Sequence, residues 1–230
     1  MKANLATDLS PDLTHVGVWL FDLDNTLYPV ESGLMGLIEV RMTDFVQRET
    51  GLSRPEARAL QKQYLHEHGA TLAGLIANHG VDPQRFLDEV HDVSLDRLTP
   101  DLTLDAALAR LPGRRLVFTN GDDRHADRVL ERLGIADRFE AVFHIASAGY
   151  VPKPNPDTFA RMSREHDIDP RVTAFFEDSE RNLAPAAALG MTTVLVGAQA
   201  QASTATFIDY RTPAVAPFLN AARVKETSES

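Results

Sequence analysis

Five short apolar runs separated by helix-length segments constrain this chain more than any other feature. They are VGVWLFD (Val16 to Asp22), RLVFTNG (Arg115 to Gly121), a weaker AVFHI (Ala141 to Ile145), VTAFFEDS (Val172 to Ser179) and TTVLVG (Thr192 to Gly197). Runs that stay apolar instead of alternating suit strands covered on both faces. Between them, DRHADRVLERLG (Asp123 to Gly134) and SERNLAPAAALG (Ser179 to Gly190) space apolar residues by three and four and end in glycine, which stops helices. Alternating strand and helix predicts an α/β fold built on a doubly wound parallel sheet, with ligands bound beyond the carboxyl ends of the strands.

The alternation is interrupted once. From about Glu31 to Asp96 the chain is helical in character with no convincing strand, and Gly51, Gly69, Gly80, Pro55 and Pro83 divide it into about four helices. This reads as an inserted helical cap over residues 31–96, with residues 1–30 and 97–230 forming the α/β core; a plainer reading has the same helices extending the core.

Composition narrows the chemistry. The 230 residues are 43% hydrophobic, enough for a sizeable interior, and contain no cysteine, which excludes a thiolate nucleophile, a disulfide framework and a cysteine zinc site. A formal charge of −10 argues against a nucleic-acid partner, which calls for a field of basic residues. The opening MKANLATDLS lacks the pattern of a secretory signal, and no run of about 18 apolar residues suggests a membrane span. The expectation is a soluble, cytoplasmic protein. The closing KETSES, residues 225–230, reads as a frayed polar end.

Four motifs carry the chemistry, each at a predicted strand end or in the loop beyond one. In FDLDNTLYP, Asp22 and Asp24 are two apart and would share one side of an extended segment, which suggests a magnesium site, an acid/base pair, or both. In VFTNG, the Thr119 hydroxyl and backbone N–H groups near Asn120 and Gly121 suit a phosphate; an ordinary strand-to-helix turn capped by Asp122 or Asp123 explains the same residues. In VPKPNP, Lys153 is one of only four lysines among 23 basic residues, a compact cation in a stiff frame, suited to touch a phosphoryl oxygen and a carboxylate. In FFEDSERN, Glu177 and Asp178 offer oxygens to a magnesium ion, or Asp178 or Ser179 caps a helix.

In this order and spacing, from about Val16 to Val196, the motifs resemble the haloacid-dehalogenase-like superfamily. The wider wording, including GLMGLIEVRM, EHGATLAGL, VHDVSL and KPNPDTF, is similar to its pyrimidine 5′-nucleotidase branch. The resemblance implies a phosphatase using Mg²⁺ and an aspartyl-phosphate, acting on a small phosphorylated metabolite such as a nucleoside monophosphate. It implies Asp22 as nucleophile, Asp24 as general acid/base, Thr119, Asn120 and Lys153 around the phosphoryl group, and Asp22, Asp178 and the Asp24 backbone carbonyl on the metal. It also implies a second acid four or five residues after Asp178, where this chain has Asn182.

On this reading Asp22, with an ordinary pKa of about 3.9, is ionised, and acidic neighbours with partial desolvation raise Asp24 toward neutrality. Substrate-facing candidates in residues 31–96 are Arg41, Tyr64, Thr71 and His91. The alternatives are a phosphatase for phosphoglycolate or a sugar phosphate, carbon–halogen hydrolysis, for which Asp24 is superfluous, and a receiver-type signalling module, whose paired acids would be adjacent.

Overall fold

The computed structural model describes residues 10–225; the two predicted polar ends lie, but for Ser10 and Lys225, outside the described residues. Six strands form one sheet: β1 Val18–Phe21, β2 Arg114–Phe118, β3 Ala141–Phe143, β4 Thr173–Glu177, β5 Thr192–Val196 and β6 Tyr210–Thr212. Their spatial order is β3-β2-β1-β4-β5-β6 and every pair is parallel. The chain winds from β1 to one edge and then returns to build the other half from β4, so the order reverses between β1 and β4. A doubly wound sheet opens a crevice at such a point. Phe21 registers with Val117 on one side and Phe176 on the other, so Asp22, Phe118 and Glu177 come next in register at the carboxyl edge.

Both faces of the sheet are covered, the physical reason its strands read as unbroken apolar runs. Trp19, Phe21, Val117 and Phe176 face α5 (Leu102–Ala109), α6 (Asp123–Leu133) and α9 (Val215–Ala221). Val18, Leu20, Phe118 and Phe175 face α7 (Pro156–Glu165) and α8 (Glu180–Ala188). Each fully buried side chain of this size contributes roughly 1.5–3 kcal/mol. Sequence reading misses β6. Its three residues, Tyr-Arg-Thr, are too few for a period, and only Thr212 is fully buried.

Four helices separate β1 from α5: α1 Leu34–Thr50, α2 Arg54–His68, α3 Thr71–His79 and α4 Pro83–Val90. Helix α1 packs on α2 and α4, and α2 on α3. The stops are where the glycines predict them, since Gly51, Gly69 and Gly80 all take positive φ at helix ends. Starts are capped as well: Ser53 and Glu56 form a capping box, and Asp82 accepts from Gln84 and Arg85 ahead of α4. Gly74 lets α3 meet α2, because a Cβ there would sit 2.3 Å from the Tyr64 ring. Core arginines fasten this segment over the carboxyl edge: Arg128 donates to the carbonyls of His91 and Val93, and Arg181 to those of Leu65 and His66. No helix among the described residues is long and apolar enough to cross a membrane.

Candidate active site

Lys153 is the centre of the strand-end cluster. It is 1% exposed, and its Nζ donates to Asp22 Oδ1 at 2.7 Å, Glu177 Oε2 at 2.8 Å and the Phe118 carbonyl at 2.6 Å. All three ammonium protons are thereby used, joining the ends of β1, β2 and β4. The loop carrying Lys153 is braced by Asn120, whose side chain accepts from Lys153 N at 2.8 Å and donates to Lys153 O at 3.2 Å. Thr119 Oγ1 accepts from Gly121 N at 2.9 Å and shapes the β2–α6 turn, while Asp122 caps α6 through His125 N at 2.7 Å.

Asp22, Glu177 and Asp178 bring carboxylate oxygens within 4.8 Å of one another. Three acids facing one ammonium leave surplus negative charge in a largely dry place, and the chemistry of the donor set fits a hard divalent cation. Glu177 has one oxygen on Lys153 and the other accepting from Ser179 N at 3.3 Å. Asp22 is engaged likewise, Oδ1 with Lys153 and Oδ2 accepting from the Thr26 hydroxyl at 3.2 Å, whereas Asp178 is touched by Asn25 Nδ2 at 3.4 Å and has the most room for an ion.

Burial drives Asp22 up to about 7, with the Glu177 charge adding and Lys153 opposing. Burial likewise lifts Glu177 to about 7, and burial with the Asp22 charge lifts Asp178 to about 6. Lys153 is held above its ordinary value because Asp22 and Glu177 outweigh the cost of its burial.

Asp24 occupies a different setting. Its Oδ1 accepts from His125 Nε2 at 2.8 Å and from the Tyr28 hydroxyl at 2.5 Å. Burial alone would raise this carboxyl, but the His125 charge and the two hydrogen bonds overcome it and hold Asp24 down at about 2. The expected directions are thus reversed. Asp22 is raised chiefly by burial, with the Glu177 charge adding, and Asp24 is lowered by a histidine that sequence reading does not single out.

Asp22, Asp24, Thr119, Asn120, Lys153 and Asp178 all line one cavity of about 320 Å³, together with Asn182. Helices α1 to α4 supply its roof, mostly apolar: Met35, Ile38, Met42, Leu65, Leu72, Phe86 and Leu87, with Glu39, Gln61 and Lys62 among the polar exceptions. Of the candidates from this segment, Thr71 and His91 line the cavity. Arg41 instead donates to the Asp92 carbonyl on the surface, and the Tyr64 hydroxyl bonds His79 Nε2 at 2.8 Å. A groove of about 640 Å³ adjoins the site but shares only Asn25 and Asp178 with it and has no lysine or arginine in its lining, so an anion-handling site points to the smaller cavity.

A family description, haloacid dehalogenase-like hydrolase, matches residues 17–190, from the strand bearing Asp22 through the end of α8. This chain belongs to that family. The hydrolase is 30% identical over 190 residues to "Phosphate metabolism protein 8" of Saccharomyces cerevisiae, covering 76% of this chain and 59% of that protein, so it spans about three fifths of the relative's length. Among solved structures it resembles L-2-haloacid dehalogenase from Xanthobacter autotrophicus (TM-score 0.56, 19% identity, 89% of this chain and 97% of that one). It also resembles a HAD phosphatase from Thermococcus onnurineus (TM-score 0.57, 19% identity, 86% and 94%). At such identities the structural likeness of this hydrolase speaks for the fold.

Proposed function

We propose that this hydrolase is a magnesium-dependent phosphatase for small phosphate monoesters, with pyrimidine nucleoside 5′-monophosphates as its substrates and residues 31–96 as a cap over a core of residues 1–30 and 97–230. The observation that carries the reading is Lys153 Nζ, 2.7 Å from Asp22 Oδ1 in the cavity where Asp24 and Thr119 also converge. In the first step an Asp22 oxygen attacks phosphorus while the bond to the ester oxygen breaks, and that oxygen takes a proton from Asp24. Asp24 then removes a proton from water, the water oxygen attacks the aspartyl-phosphate, and inorganic phosphate leaves with Asp22 restored. Lys153, the Thr119 hydroxyl and the N–H groups of the Asn120 turn gather the charge of the transferring group. An arriving phosphate dianion repels the Asp24 charge and raises its proton affinity, the direction an acid requires.

Asp22, Asp178 and the Asp24 backbone carbonyl would hold magnesium, which when bound supplies positive charge against the phosphoryl oxygens and favours ionised Asp22. Glu177 is taken up by Lys153. Asp24 favours phosphoryl transfer over carbon–halogen hydrolysis, because a halide leaves without a proton.

Two features favour a nucleoside as leaving group. The roof is largely apolar, and the cations that line the cavity away from the floor are engaged, Lys62 by Glu39 and Arg181 of α8 by backbone carbonyls of α2. A glycolate carboxylate would meet no unpaired cation there, whereas a neutral, flat base suits the lining. Magnesium-supported hydrolysis of UMP, CMP, glucose 6-phosphate and phosphoglycolate tests this. The highest kcat/KM is expected on UMP or CMP. A preference of about tenfold or more for either other ester would end the nucleotidase assignment, and no turnover of any monoester would end the phosphatase reading.

A further inference from the structure

An aspartate carboxyl is a broad, two-fold rotor about its last torsion, so an unrestrained Asp24 would offer either oxygen in many orientations. Here it is pinned through one oxygen. Tyr28, four residues along the same turn, and His125, from the first turn of α6, both donate to Oδ1. Among the described residues no hydrogen bond reaches Oδ2, which lies 3.7 Å from where a Cβ on Gly121 would stand, beside Thr119 at the cavity floor.

His125 is itself held from three sides. Its backbone N–H is fixed by Asp122, its ring is fully buried, and the ring of His91, just past the end of α4, stacks on it with centroids 4.3 Å apart and planes 11° apart. His91 Nδ1 stands 3.4 Å from Asp122 Oδ1, near enough for charge attraction but without hydrogen-bond geometry. His125 Nδ1 has no hydrogen-bond partner among the described residues. A buried ring with one unsatisfied nitrogen is costly where an apolar ring would pack as well, so a merely space-filling role explains its presence poorly.

We infer that His125 is a positioning residue: with Tyr28 it locks Asp24 Oδ1, leaving Oδ2 as the oxygen turned to the leaving group. His91, just past the end of α4, stacks on this imidazole and so joins the helical segment to the lock. The inference rests on the phosphatase reading, in which Asp24 handles the leaving-group proton.

The test compares UMP, whose leaving oxygen needs a proton, with 2,4-dinitrophenyl phosphate, whose phenolate departs without one. Asp24→Asn serves as the reference: it should abolish UMP turnover yet retain a burst of dinitrophenolate. His125→Ala is expected to lower kcat on UMP by about tenfold to a hundredfold with KM within about twofold, since misplacement of a reacting group acts on the transition state. The burst rate on the aryl ester should stay within about twofold of wild type. His125→Gln, which keeps a donor at the side-chain tip, should recover most of the loss. Tyr28→Phe removes the other donor with a one-atom change and should give the same pattern even if His125→Ala folds poorly.

If Asp24→Asn behaves as expected while Tyr28→Phe matches wild type and His125→Ala either does so too or loses burst and UMP turnover alike, the positioning role is overturned and the phosphatase reading stands. If Asp24→Asn hydrolyses UMP normally, the acid assignment itself fails, and the role of His125 with it.

Discussion

At the floor of the cavity Asp22, Lys153 and Glu177 are almost wholly withdrawn from water, whereas in the roof most charges of α1 to α4, Glu39 and Lys62 excepted, lie outward and the inside is mostly apolar. The roof pairs Arg48–Glu89, Arg54–Asp44 and Arg85–Glu49 are solvent-exposed to a substantial degree. Exposed ion pairs are screened and contribute about 0–1 kcal/mol, while a buried charge that loses its partner costs several. The difference teaches where the molecule tolerates change. The floor holds an arrangement that is expensive in stability and explicable by chemistry; the roof is an ordinary helical packing whose inner surface, on the proposed function, would select what reaches the floor.

The sharpest way to break this comparison is at the proposed nucleophile. Asp22→Asn should lower kcat by about 10⁴-fold or more, while turnover within about tenfold of wild type would remove Asp22 from the chemistry. Next is Lys153→Met, which leaves two acids buried without their cation. It should destabilise the fold by about 3–5 kcal/mol at pH 7.5 and by less at pH 5.5, where the acids take up protons. Urea unfolding at both values would reveal it; a midpoint equal to wild type would mean the ammonium is not holding the strand ends together.

A third prediction concerns pH with the metal chelated. Asp22, Glu177 and Asp178 have folded-state values of about 7, 7 and 6 against ordinary values of 3.8, 4.5 and 3.8. The folded protein therefore binds more protons than the unfolded chain between about pH 4 and 7, and stability must fall as pH rises through that window. Asp24, lowered to about 2, has the opposite sign but acts only below about pH 4. Thermal melts in chelator should drop from pH 5 to 7.5, and Mg²⁺ should restore the loss at pH 7.5, by about 2.7 kcal/mol at a hundred times its Kd. A rising or flat profile in chelator would contradict the charge surplus at the floor. Smallest of all is Arg54→Ala on the outside of the roof, expected to change stability by less than about 1 kcal/mol and kcat/KM hardly at all; a larger loss in either would make the roof more than a packing element.

How much of this was legible beforehand varies with the distance over which the information acts. Five of the six strands, helices α6 and α8 between them and the helices of residues 34–90 follow from local pattern, and Asp22, Asp24, Thr119, Lys153 and Asp178 do meet in one cavity. His125 was not legible. It lies inside DRHADRVLERLG as one more residue of an amphipathic helix, and only closure of the sheet brings it to Asp24, 101 positions earlier. Arg41 and Tyr64 turned away from the cavity because the rotation of α1 and α2 about their own axes is settled by packing, which a mixed apolar and charged stripe leaves open.

By itself, then, the order of residues determined the alternation of strand and helix, the interruption after β1, and the chemical types delivered to the strand ends, since each depends on neighbours a few positions apart. Only the tertiary structure decided which acid is raised and which lowered, and which helical side chains look into the cavity. Proton affinity depends on burial and on charges a few ångströms away, and here those charges come from segments up to 155 residues distant, as Asp22 and Glu177 do.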